Sequence, residues 1–220
     1  MIEPIFIASA PRSGSSLLSY ILHNEGIQVG ETKPADKYNP NGYFENLKIR
    51  ELVIKHLKKQ DVRNQGKKFQ PVNLTFSSID IALFRHNVVS ALLKDSIDLD
   101  KPWLFKDPKI VLTWLLFAKS FPNAKWILLY RNEDAIIDSY KRTEFMNAYE
   151  STEDWQKYLT CFVANMESIK SFCTNTHTFA IESLIDNDTD KINNLYSFLG
   201  LRNTGKYVSC IDKRYFGKAK

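Results

Sequence analysis

At 220 residues and 44% hydrophobic, the chain is long enough to bury a core without disulfide or metal staples. Its net charge of +5 suits an anionic ligand, but the lysines and arginines are spread along the sequence, which excludes a nucleic-acid footprint. Cys161, Cys173 and Cys210 form neither a CxxC pair nor a paired framework, and His23, His56, His86 and His177 lie too far apart for metal-ligand spacing. Ala8-Ser9-Ala10 imitates a signal-peptidase site but lacks a basic flank and a long enough apolar run. The longest later apolar stretch, Ile110 to Ala118, is too short to span a bilayer. These features read as one soluble, cytoplasmic domain over residues 1–220, reduced at its cysteines.

The stretch from Pro4 to Leu22 organises the rest. Ile5 to Ala8 has the continuous apolar content of a buried parallel strand, and Leu17, Leu18, Ile21 and Leu22 form one helical stripe. Between them, Ser9 to Ser16 is a small-residue turn feeding a helix N-terminus, where unpaired backbone N–H groups and the helix dipole attract anions. Gly14 permits close backbone approach, Ser13, Ser15 and Ser16 add hydroxyls, and Arg12 adds a charged fork of donors. The turn reads as a phosphate- or sulfate-binding loop. It departs from the Walker pattern G-x-x-x-x-G-K-[ST], with Ser9 at the first glycine and Ser15 at the lysine. That counts against a kinase or other NTPase. The plain alternative is a serine-rich turn that only caps a helix.

Ile27 to Thr32 is a short strand or extended piece, and Glu31 at its end stands where loops converge on a ligand crevice in an open α/β sheet. Asn39 to Asn46 is turn-rich and leads into a helix with Leu47, Leu52, Val53 and Leu57 inward. Glu45 there is either a site carboxylate or ordinary helix-start electrostatics, and Glu31 either a site residue or a solvated loop carboxylate. Asp61 to Leu74 is polar and Lys-rich, a surface loop; Ile79 to Leu93 repeats apolar residues (Ile79, Leu83, Phe84, Val88, Leu92) as a packed helix.

Trp103 to Lys106 is a short strand that leaves Lys106 at the crevice, with Asp107 placed to cap and Pro108 to begin a helix running to about Phe121. Lys125 to Tyr130 is a buried strand ended by Arg131 and Asn132. Ser139, two turns into the next helix, and Arg131 either face one anion or belong to a surface helix carrying the usual charges, and Arg142 follows close behind. A long amphipathic helix from Asp154 to Phe172, beginning near a Thr152 cap, precedes a strand at His177 to Ile181. A last helix begins at Asp188 and ends at Gly200. The tail from Asp212 to Lys220 is basic and aromatic.

Four segments together resemble the sulfotransferase superfamily, especially its bacterial-type and tyrosylprotein-like branches. They are PRSGSS at Pro11 to Ser16, GE at Gly30-Glu31, FKDPK at Phe105 to Lys109, and YRN…DSYKR from Tyr130 to Arg142. IESL…YSFLGL, from Ile181 to Leu201, adds a weaker fifth. The resemblance implies a P-loop-like three-layer α/β fold with a central parallel sheet, acting on 3′-phosphoadenosine 5′-phosphosulfate (PAPS) without a metal. It implies that Arg12, Ser13, Gly14, Ser15 and Ser16 hold the 5′-phosphosulfate, and that Arg131 and Ser139 hold the 3′-phosphate. Lys106 would stabilise the transferring group and Glu31 would be the base, with Glu45 as the rival. The catalytic histidine of cytosolic aryl sulfotransferases has no counterpart, and their closing RKG run is at best echoed by Arg214 to Lys218. The acceptor is a small molecule, glycan, lipid or peptide, recognised by loops near Lys33 to Glu45, Asp61 to Ser78 and Thr143 to Glu153. Competing readings are a P-loop nucleotide or sugar kinase and a non-catalytic module binding 3′-phosphoadenosine 5′-phosphate (PAP).

Overall fold

The strand expected from the first apolar run is β1, Ile5–Ala8, buried at every position. The computed structural model describes residues 2–62, 68 and 75–212. β2 (Leu104–Lys106), β3 (Lys125–Tyr130) and β4 (Thr176–Ala180) join β1 in an all-parallel sheet of order β2-β1-β3-β4. Among the described residues eight α-helices flank it: α1 (Ser15–Asn24), α2 (Leu47–Lys59), α3 (Ser78–Lys94), α4 (Trp114–Ser120), α5 (Glu133–Lys141), α6 (Thr152–Phe172), α7 (Glu182–Ile185) and α8 (Thr189–Leu199). This is the helix-covered parallel sheet of a P-loop-like α/β fold. β1 leads to β2 on one side while its neighbour β3 leads to β4 on the other, so a crevice opens beyond the carboxyl ends of β1 and β3. The turn at Pro11 to Ser16 follows β1 directly into that crevice.

Strand alternation divides the core into two layers. Phe6 and Ala8 join Phe105, Trp126 and Leu128 against α2 to α6, while Ile5 and Ile7 join Leu104, Ile127 and Leu129 against α1 and α8. Phe6 is the aromatic centre of its layer, in edge contact with Trp103, Phe117, Phe121 and Trp126 at centroid separations of 4.9 to 6.2 Å. The same period governs β2. Leu104 faces α1, Phe105 faces the aromatic layer, and Lys106 returns to the α1 side, paired in register with Ile7.

Several local expectations shift. Ile27 to Thr32 makes a single parallel bridge, Gln28 to Trp103, and Gly30 turns it away at φ 70°. The helix expected from Pro108 to Phe121 is broken into a 3₁₀ turn, Pro108–Val111, and α4. Thr113 sits at the break and donates its hydroxyl to the Lys109 carbonyl, competing with the helical ladder. On α3, Phe84, Val88, Ala91 and Leu92 are buried, whereas Ile79 and Leu83 are 75% and 54% exposed, so the repeat overstated the packed face. Ser151, not Thr152, caps α6. Cys161 and Cys173 are half-buried and Cys210 is buried, all three as free thiols. Most of the expected loop from Asp61 to Leu74, and Arg214 to Lys218 in the tail, lie outside the described residues. Among the described residues no helix is long and apolar enough to cross a membrane.

Candidate active site

The turn after β1 is built from backbone that most side chains avoid. Arg12 has φ 64° and Gly14 φ 84°, both left-handed. A Cβ on Gly14 would stand 2.6 Å from Ile181 Cγ1, so close packing on Ile181 demands glycine here, in addition to the positive φ. Gly14 is the cap residue of α1, no side chain accepts from the first turn, and no acidic residue lies within it. The serines of this loop therefore do not cap the helix, and the plain capping reading fails. The first-turn N–H groups of α1 keep their capacity to bind an anion. Ser13 is buried with its Oγ unpartnered.

Two arginines converge on this turn. Arg131, at the tip of β3, donates from Nη1 to the Arg12 carbonyl at 2.9 Å, and Arg12 donates from Nε to Ser139 Oγ at 3.0 Å. Burial holds both guanidiniums below their ordinary value. Arg12 is depressed further by Arg142, and Arg131 by Arg12 and Arg142. Partly desolvated like charges gathered at a helix N-terminus form a site that an anion would relieve.

Lys106 is 2% exposed and reaches across to the same turn. Its Nζ donates to Ser16 Oγ at 3.0 Å and to Glu45 Oε1 at 3.3 Å, while Ser16 Oγ donates onward to the Tyr43 carbonyl at 3.3 Å. Glu45 Oε2 lies 3.4 Å from Arg50 Nε, which is also 3.3 Å from Asp107 Oδ2. Asp107 Oδ1 accepts from the Lys109 backbone N–H at 2.8 Å and pairs with Lys109 Nζ at 3.3 Å. Opposite charges thus alternate from Lys106 to Lys109. Asn46 caps α2, accepting from the Ile49 N–H at 2.9 Å, so Glu45 and Arg50 occupy the two positions that in many helices form a hydrophobic staple. Sequence reasoning missed Arg50; those staple positions, read as charges, were the signal.

A cavity of about 200 Å³ opens over these groups, lined by Arg12, Gly14, Ser15, Ser16, Glu45, Lys106 and Arg131. Ser13 and Ser139 are not on its lining; the Ser139 hydroxyl touches it through Arg12. Glu31 is not on it either. Its side chain is 63% exposed and ion-paired with Lys48 at 2.7 Å, and its N–H donates to Asp95 Oδ2 at 3.0 Å. Lys48 pairs with Asp95 as well, and these two acidic partners hold its ammonium above the ordinary value. Gly30 packs so closely on Asn46 and Asp95 that a Cβ would overlap both. The Gly30-Glu31 pair thus serves a polar knot at the start of α2, and the carboxylate brought to Lys106 is that of Glu45.

The opposite wall is the segment from Asp36 to Tyr43. Asp36 Oδ1 accepts from the N–H groups of Tyr38 and Asn39 at 2.8 and 3.1 Å, and Asp36 Oδ2 from the Tyr43 hydroxyl at 2.7 Å. Burial pushes Asp36 up, but these hydrogen bonds outweigh it and leave the carboxyl below its ordinary value. Tyr43 is pushed up to about 12 by burial and by Asp36. Tyr38 meets Phe145 edge-on at 5.2 Å, and Lys37 pairs with Glu144 at 2.9 Å, tying this wall to the segment after α5. Three aromatics, Tyr38, Tyr43 and Phe145, line the cavity. Phe44 packs in the core against Tyr20 and His23, and Tyr149 packs against Trp155 and Tyr158.

The sequence profile described as "Sulfotransferase family" matches residues 4–204. The chain belongs to the sulfotransferase family. The profile covers every segment on which the resemblance rested, and the kinase reading is not favoured. Solved structures agree on the fold. The chain superposes on the sulfotransferase domain of the curacin biosynthetic pathway with TM-score 0.64 and 15% identity, covering 100% of this chain and 81% of that one. For the sulfotransferase domain of the Synechococcus PCC 7002 olefin synthase the values are 0.57, 16%, 95% and 77%. For a sulfotransferase from Alicyclobacillus acidocaldarius they are 0.54, 14%, 92% and 83%. No curated protein sequence matches the chain significantly. This sulfotransferase therefore carries a family-wide fold on a sequence well diverged from those solved relatives.

Proposed function

We propose that this sulfotransferase takes its sulfuryl group from PAPS and passes it to an acceptor hydroxyl or amine by in-line transfer without a metal. One observation carries the reading: Arg12, Arg131, the uncapped start of α1 and Lys106 surround one cavity, and each is suited to an anionic oxygen. In this reading the N–H groups of Gly14, Ser15 and Ser16 and the Ser15 hydroxyl hold the 5′-phosphosulfate. Arg131 holds the 3′-phosphate beside Ser139, whose hydroxyl accepts from Arg12 and keeps its own proton to donate.

Sulfuryl transfer spreads charge over oxygens, so by analogy with phosphoryl transfer the protein's share is positioning and electrostatics. Glu45 takes the acceptor's proton as the new O–S bond forms. The S–O bond to the 5′-phosphate breaks, and its electron pair leaves on PAP, where Arg12 and Lys106 offset the new charge. Glu45 replaces Glu31 as the base because it lines the cavity at 3.3 Å from Lys106 Nζ. The test is incubation with radiolabelled PAPS and a panel of phenols, glycans, lipids and tyrosine peptides, with and without EDTA. Label transfer insensitive to EDTA is expected; transfer only with a divalent ion, or from ATP instead, would overturn the reading.

A further inference from the structure

We infer that Arg50 is a positioning residue that holds Glu45 in its working pose when Lys106 turns to the donor. The inference rests on the reading of Glu45 and Lys106 given above. Glu45 divides its carboxylate, with Oε1 3.3 Å from Lys106 Nζ and Oε2 3.4 Å from Arg50 Nε. Charge developing on the breaking phosphosulfate bond draws the Lys106 ammonium toward the donor and leaves Oε1 free to accept a proton. A glutamate held only by that lysine would then regain its rotamers, and its carboxylate would wander from the acceptor. The second hold prevents this.

Arg50 can act as an anchor because it is anchored itself. Its Nε lies 3.3 Å from Asp107 Oδ2, a contact of opposite charges without hydrogen-bond geometry, and the Asp107 side chain is fully buried. Asp107 is fixed in turn by capping the Pro108–Val111 turn and by pairing with Lys109. The hold therefore runs from the tip of β2 to Glu45 without passing through Lys106. Arg50 and Asp107 are not on the cavity lining, so neither touches the reacting atoms, and Arg50 acts through Glu45.

A double-mutant cycle tests this, with sulfuryl release from radiolabelled PAPS to para-nitrophenol and to water as readouts and PAP affinity measured in parallel. Arg50→Gln should lower kcat by about 30-fold, with donor KM and PAP affinity unchanged, since a misplaced group costs rate rather than donor binding. In a Glu45→Gln background the same change should cost less than about twofold, because the group it positions no longer takes a proton. Arg50→Lys should restore part of the rate. Should Arg50→Gln fail to fold because Asp107 loses its counter-charge, Arg50→Lys carries the same cycle at smaller amplitude. Equal losses in both backgrounds, or a parallel loss of PAP affinity, would overturn the role of Arg50 alone. An unimpaired Glu45→Gln, or a wild type that releases label to neither acceptor, would overturn the underlying reading and this inference with it.

Discussion

Arg131 donates to the backbone carbonyl of Arg12 at 2.9 Å, so the tip of one strand holds the turn after another by its main chain. Arg12 needs that hold. Its φ of 64° is uncommon for a residue with a Cβ, and its guanidinium is steered at the same time by Ser139. Two residues expected to meet a ligand directly are thereby also the braces of a third. Removing either should disturb the whole anion site and not one contact.

This sulfotransferase should prefer PAP to its relatives without a 3′-phosphate. PAP should raise the melting temperature more than AMP or ATP does at equal concentration. Arg131→Ala should weaken PAP binding by about 10- to 100-fold, the range for a lost charge-assisted hydrogen bond to phosphate, and should erase the preference over AMP. Equal thermal shifts from PAP and AMP in the wild type would remove the case for a 3′-phosphate site.

The two candidate carboxylates should separate cleanly. Glu45→Gln should slow transfer by about 10²- to 10⁴-fold, the usual contribution of a general base. Glu31→Gln should leave turnover within about twofold and stability within about 1 kcal/mol, because an exposed ion pair contributes little. The reverse ranking would return the base to Gly30-Glu31. Lys106→Met should lower kcat by about 10²- to 10³-fold with PAP affinity largely kept.

Gly14→Ala should be costly far beyond its one methyl group. The left-handed backbone alone carries about 1–2 kcal/mol for a residue with a Cβ. A Cβ 2.6 Å from Ile181 Cγ1 adds overlap between the turn and the chain after β4. A melting temperature lower by several degrees, together with weaker PAP binding, is the expected result. A variant that melts and binds like the wild type would show that the turn can re-form without glycine.

Asp36 supplies a pH signature. Its folded value lies below the ordinary 3.8, so the stability it contributes is complete above 3.8 and is lost as pH falls through the lower folded value. Asp36→Asn should therefore differ from the wild type in urea midpoint at pH 7, and the difference should shrink as pH is lowered past 3.8. A difference constant down to pH 3 would mean that the Asp36 charge plays no part in holding the wall.

Much of the basic side of the cavity was legible in the sequence because strand tips announce themselves. Lys106 follows three apolar residues and Arg131 closes a six-residue apolar-rich strand, so period and position alone put both at the crevice. Glu45 remained ambiguous for the opposite reason. Its partners Lys106 and Arg50 come from a distant strand tip and from the next helix turn, and no local pattern links all three. The motif at Gly30-Glu31 pointed to a carboxylate that lies off the cavity lining. Its glycine answers to close packing on Asn46 and Asp95, which only the folded chain reveals. The organising role of Asp36 escaped notice because a carboxylate in a turn-rich segment looks like any solvated one.

The two sides of the cavity are anchored differently. Arg12, Lys106 and Arg131 sit at or just beyond the ends of paired strands, whereas Tyr38, Tyr43 and Phe145 depend on one aspartate, one surface ion pair and a ring contact. Opening the first side should cost more free energy than opening the second, which is held by fewer contacts. Amide exchange should consequently be slow around Lys106 and Arg131 and fast from Asp36 to Tyr43. On the proposed assignment, mutations that retune acceptor choice can accumulate in that looser half without eroding the grip on the sulfuryl donor.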